Sequence, residues 1–153
     1  PGCLEAARHL HCALERLGLR AYPKTTGRDG LHVLVPCERR YTFTQVRAWV
    51  EAVARQVCDE RPELITLDKS LAARDGRVLL VYSQYGLAKA STAPSSVRAT
   101  AVATVSTPLT WKEVSVGRVR PEHWTILTVL PRLQKLGDLM AGLLELQRLP
   151  IPV

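Results

Sequence analysis

Residues 24–35, KTTGRDGLHVLV, join a polar, glycine-punctuated turn to an alternating apolar strand that carries one histidine, His32. Gly27 and Gly30 allow the turn's backbone N–H groups to approach an anion. An imidazole on the adjoining strand could donate to the same anion. Alternation puts Leu31, Val33 and Val35 on one face and His32 and Leu34 on the other, so the competing role for His32 is packing. The chain's charge says what anion to expect. The formal net charge is +7, and of 21 basic side chains 16 are arginine, whose planar fork suits phosphate. Nucleic acid or nucleotide is the leading partner class, against the plainer alternative of a basic protein with no such ligand.

Other chemistries find less support. GRDGLH lacks the Gly-Lys-[Ser/Thr] of a P-loop. His9 and His11 are two residues apart and do not share a helix face. Cys3, Cys12, Cys37 and Cys58 form no C-x-x-C pair, which disfavours zinc and suits scattered reduced thiols. No Ser-His-Asp or Cys-His set follows from spacing.

The elements that must position these residues are legible from periodicity. Leu4, Ala7, Leu10, Leu14 and Leu17 mark an amphipathic helix that Gly18 stops. Residues 19–24 are extended, and Pro23 argues for an edge position or a strand end. A turn at 25–30 leads into the strand 31–36. Thr42 and Gln45 form a capping box for a second helix to about Asp59, with Val46, Val50, Val53 and Val57 as its stripe and Trp49 beside it. After a mixed loop that can hold a short helix, RVLLVYS (77–83) is a β-run, with Arg77, Leu79, Val81 and Ser83 on one face and Val78, Leu80 and Tyr82 on the other. SVRATAVATVS reads as loop plus short strands. Thr110 and Glu113 form a second capping box, and helices at 128–136 and 138–148 close the chain. The order helix, strand, strand, helix, strand is that of a split β-α-β-β-α-β unit without its first strand.

Several segments together resemble the polymerase domain of bacterial ATP-dependent DNA ligase D, a branch of the archaeo-eukaryotic primase superfamily acting in non-homologous end joining. They are KTTGRDGLHVLVP, RDGRVLLVYSQ, APSSVRA, VSTPLTWKEV and LGDLMAGLL. The resemblance implies an α+β fold: an RRM-like sheet of the catalytic lobe, lacking its first strand, with C-terminal helices. Residues 1–153 are then the C-terminal part of such a domain. The implied reaction is template-directed nucleotidyl transfer to a 3′-hydroxyl at a DNA break, with Mn²⁺ or Mg²⁺. The implied partners are DNA ends and a nucleoside triphosphate, with a ligase domain and a Ku-type end-binding protein, in the bacterial cytoplasm and away from membrane. By the same resemblance Thr26, Gly27, Gly30 and His32 flank the triphosphate. Arg74, Gln84, Lys89 and Arg98 take the places of further nucleotide-binding residues.

The departures concern the metal. The family's Asp-x-Asp precedes a Pro-Gly, and this sequence opens on Pro1-Gly2; its only methionine is Met140, so a piece of a longer chain is expected. The third aspartate's place holds Val81, which cannot bind a cation; divalent ions prefer oxygen anions. Asp75 lies nearby in a turn. Thr26 replaces a serine, Ser95 replaces a tyrosine, and Asp29 would repel a phosphate if it pointed inward. Catalysis by this chain alone is therefore not expected. Two further functions fit the same residues: a non-catalytic DNA- or nucleotide-binding module, and a gene fragment without function.

Overall fold

The computed structural model describes residues 2–83 and 90–151. Its elements are α1 (Gly2–Arg16), β1 (Tyr22–Thr25), β2 (Leu31–Leu34), α2 (Phe43–Glu60), β3 (Ile65–Thr66), α3 (Leu71–Arg74), β4 (Val78–Leu79), α4 (Trp111–Val116) and α5 (Val129–Leu136), with 3₁₀ turns at Pro121–His123 and Ala141–Leu144. The α+β class expected from the sequence holds.

The helices form for the reasons their sequences give. α1 buries Leu4, Ala6, Ala7, Ala13 and Leu14, whereas Leu17, past the helix end, stays 40% exposed. α2 starts on Thr42, whose hydroxyl accepts from the Gln45 N–H while the Gln45 side chain accepts from the Thr42 N–H. It buries Val53, Ala54 and Val57. Thr110 and Glu113 make the same reciprocal pair for α4, which satisfies N–H groups a first turn otherwise leaves open.

The strands form two separate two-stranded sheets in place of the single sheet expected. β1 and β2 pair antiparallel, with Tyr22 opposite Leu34, Pro23 opposite Val33, Lys24 opposite His32 and Thr25 opposite Leu31. β3 and β4 pair parallel, Ile65 with Val78 and Thr66 with Leu79. α1 packs on both β2 and β4, and one core joins Leu14, Val57 and Ile65 to Val33, Val35, Val78 and Leu80. A second cluster gathers Leu4, Ala7, Leu109 and Val114 between α1 and α4.

Three expectations need correction. The β-run at 77–83 pairs only through Val78–Leu79, although Val78 and Leu80 do face the core. Its partner β3 falls in the segment read as a mixed loop, because two residues are too few to show a period. The helix expected at 138–148 is a single 3₁₀ turn: Gly142 fits only because it has no side chain, since a Cβ there would lie 2.0 Å from the Tyr22 hydroxyl. Residues beyond it run extended instead, with the Glu38 N–H donating to the Gln147 carbonyl. Pro23 lies next to the start of β1, consistent with the strand end expected for it. Residues 105–109 flank β1, where the Thr25 N–H donates to the Thr107 carbonyl and the Leu109 N–H to the Pro23 carbonyl.

Candidate phosphate-binding site

The antiparallel register sets Lys24 directly across from His32, so the two bases share one face of the hairpin. This answers what His32 does there: it is half-buried beside a second cation, and its Nδ1 lies 3.5 Å from the Ser91 hydroxyl. The face continues through residues 95–106, which fold back on themselves. The Arg98 N–H donates to the Thr104 carbonyl and the Ser106 N–H to the Ser96 carbonyl.

Five hydrogen bonds fix that segment to β1 and the turn. Lys24 Nζ donates to Ser106 Oγ at 2.6 Å, and Ser106 Oγ donates to the Thr25 carbonyl at 2.7 Å. The Thr104 hydroxyl donates to the Gly27 carbonyl. Thr25 Oγ1 accepts from the Thr107 N–H at 2.9 Å and donates to the Val105 carbonyl at 3.2 Å. Every buried hydroxyl in this patch therefore has a partner, as burial demands.

Gly27 is where the turn meets Arg98. Its φ is +73°, and a Cβ there would lie 2.4 Å from Arg98 Cγ and 3.2 Å from the Ser106 nitrogen. Only glycine both adopts this backbone and lets the arginine stem cross it. Arg98 Nη1 donates to Thr92 Oγ1 at 2.8 Å, while its Nε is buried with no hydrogen-bond partner among the described residues. Thr26 shapes the same turn: its Oγ1 accepts from the N–H groups of Arg28 and Gly30, each at 3.2 Å. Asp29 is exposed rather than turned inward.

The electrostatics are one-sided. Lys24 has no exposed surface, and among the described residues no ion pair includes Lys24, His32 or Arg98. Burial, and then the Arg98 charge, lower the Lys24 ammonium from 10.5 to about 8. Burial, then Lys24 and Arg98, hold the His32 imidazole below its ordinary value. A buried charge normally has a counterion. Three basic groups gathered without one leave a place that an anion would relieve.

The sequence-derived residues thus divide. Thr26, Gly27, Gly30, His32 and Arg98 come together. Arg74 belongs to another element: it ends α3 and donates to the Lys69 carbonyl at 3.3 Å. Gln84 and Lys89 lie outside the described residues. Lys24, Ser91, Thr92, Thr104 and Ser106 were not singled out from sequence. For Lys24 a signal existed, since a lysine two residues before a glycine turn, in a hairpin with His32, falls opposite it in register.

The metal side looks different. Val81 is 45% exposed and aliphatic, and among the described residues no group of three His, Cys, Asp or Glu side chains converges as metal ligands would. Asp75 sits at the left-handed turn after α3, with φ 44°. The residues present do not fit a divalent cation.

This hairpin, its basic face and the mixed helical packing are those of a primase-polymerase lobe. The family described as the LigD primase-polymerase domain matches residues 1–140, and the chain belongs to that family. It is 34% identical over 139 residues to the multifunctional non-homologous end joining protein LigD of Mycolicibacterium smegmatis, covering 91% of this chain and 18% of that protein. With the bifunctional LigD of Bacillus subtilis it shares 30% identity, covering 88% of this chain and 22% of that one. The polymerase domain of Mycobacterium tuberculosis ligase D, solved in complex with DNA, superposes with a TM-score of 0.86 at 30% identity, over 93% of this chain and 49% of that chain. The chain thus spans about a fifth of the length of the two LigD proteins and about half of the solved polymerase domain. No helix among the described residues is long and apolar enough to cross a membrane.

Proposed function

We propose that this chain forms the phosphate-holding side of a nucleotide site in a DNA end-joining polymerase, and that by itself it does not perform the transfer. The observation that carries this is the gathering of Lys24, His32 and Arg98 around Gly27 with no carboxylate among them. Phosphoryl-type transfer asks its side chains chiefly to position and neutralise phosphate oxygens, and this face is built for that half of the task. The other half, divalent cations held by carboxylates, has no donors here, so no step is assigned to a metal. DNA enters the proposal because the M. tuberculosis domain was solved bound to it and because the chain carries a charge of +7.

Calorimetry with a nucleoside triphosphate, alongside extension of a primed DNA end in Mn²⁺, tests both parts. Binding without extension is expected. Extension by this chain alone would defeat the second part, and absence of any triphosphate binding would defeat the first.

A second reading, a non-catalytic DNA-binding module, is favoured by Val81, which leaves the basic face without metal chemistry beside it. It requires affinity for duplex ends that falls steeply with salt as counterions are released. A fragment without function would instead fail to melt cooperatively.

A further inference from the structure

Lys24 has the most unusual surroundings of any charged group described. Its side chain has no exposed surface, a state lysine rarely adopts unpaired. Of its three donors one is used, on Ser106 Oγ. The groups facing it come from each neighbouring element. His32 stands opposite on β2, Arg98 approaches from the 95–106 segment, and Ser106, which does not titrate, lies beneath. At the end of β2 the Cys3 thiol, against the Leu31 backbone, is pushed up by burial and stays neutral. Among the described residues, one guanidinium, one imidazole and no carboxylate face this ammonium.

Such a group responds to what binds nearby. We infer that Lys24 is a positioning residue beneath the phosphate cradle, whose ammonium is stabilised by a bound polyphosphate so that binding draws a proton from solvent onto it. This rests on the cradle proposed above and adds the proton linkage. Because the side chain is covered, Lys24 acts through its field and through Ser106, which ties the 104–107 segment to β1, rather than by touching the ligand. In the free chain its ammonium begins to lose its proton near pH 8. An opposite charge within several ångströms moves that upward by one or more pH units. Between the two values affinity falls as pH rises. His32, which titrates below its ordinary value, is already neutral across this window. The last ionisation of a phosphate ester lies at about pH 6, so the terminal phosphate of a nucleoside triphosphate is already ionised across this window.

The test is titration of the 153-residue chain with adenosine triphosphate, without divalent metal, from about pH 7.5 to about 9.5, in buffers of differing ionisation enthalpy. The wild-type chain should lose about tenfold in affinity over that range and take up a proton on binding. Lys24→Met should bind more weakly, with no slope and no proton uptake. Lys24→Arg, which keeps its charge throughout, should bind without a slope, and it decides the matter should the methionine variant not fold. A slope that persists in either variant would overturn the assignment to Lys24, as would wild-type binding that ignores pH. No wild-type binding at any pH would instead overturn the cradle itself.

Discussion

The two small sheets differ in what surrounds them. Around β1 and β2 the backbone is paired on both sides of β1, the buried threonines and serines are satisfied, and a left-handed glycine is locked under an arginine. Around β3 and β4 only two residues pair on each strand, and the next outward position is an exposed valine. The first has the basic face on which the proposed phosphate site rests. The second keeps its packing through Val78 and Leu80 and carries the exposed, aliphatic Val81 on its outward side. Packing and chemistry are thus separable along one short strand: the inward face is kept by the core, and nothing in the core constrains Val81.

The largest test of this contrast is Gly27→Ala. A left-handed alanine costs about 1–2 kcal/mol, and displacing Arg98 adds about 1–3 kcal/mol. Urea unfolding should register the loss, and polyphosphate binding should vanish with it. Lys24→Met should move stability the other way. The fall from 10.5 to about 8 corresponds to about 3 kcal/mol as an upper bound. The unfolded chain holds this proton more tightly, so the wild-type penalty is complete below pH 8 and fades as pH rises towards 10.5. Urea midpoints should therefore favour the variant at pH 7 and converge with wild type near pH 10.

Glu113, on α4, gives an intermediate effect. Burial raises its carboxyl, but Arg132 and the Thr110 groups outweigh this and leave it lowered. Arg132 grips both its oxygens and also donates to the Pro108 carbonyl at 2.8 Å. That stability is present above the ordinary carboxylate range and is lost as pH falls through the lowered value. Glu113→Gln should cost about 1–2 kcal/mol at pH 7 and flatten the acid limb of a thermal melt.

Next come the arginines. Arg98→Ala should weaken triphosphate binding about tenfold or more, and Arg74→Ala by less than about twofold, in the same calorimetric assay. The smallest change is expected from Val81→Asp. At an exposed site it should shift stability within about 0.5 kcal/mol, and one carboxylate should confer no Mn²⁺ affinity detectable by calorimetry.

Much of this was readable beforehand where the signal is local. Both capping boxes, the stripes of α1 and α2 and the alternation around His32 depend on neighbours in sequence, and the structure reproduces them. Gly142 could not be read, because the Tyr22 ring that excludes a side chain there is remote in sequence. Lys24 was missed for a related reason. Its burial depends on Ser106, 82 residues away, and a lone lysine in a turn reads as a solvated charge. Separating Arg98 from Arg74 likewise required knowing which loop crosses Gly27.

One detail of the turn bears on how fast a ligand could be captured. With Thr26 Oγ1 already accepting from the amides of Arg28 and Gly30, the loop is folded before anything arrives. Little ordering entropy is then left to lose on association. Encounter should be governed by electrostatic steering into a finished receptor, with an on-rate that tracks ionic strength rather than loop closure.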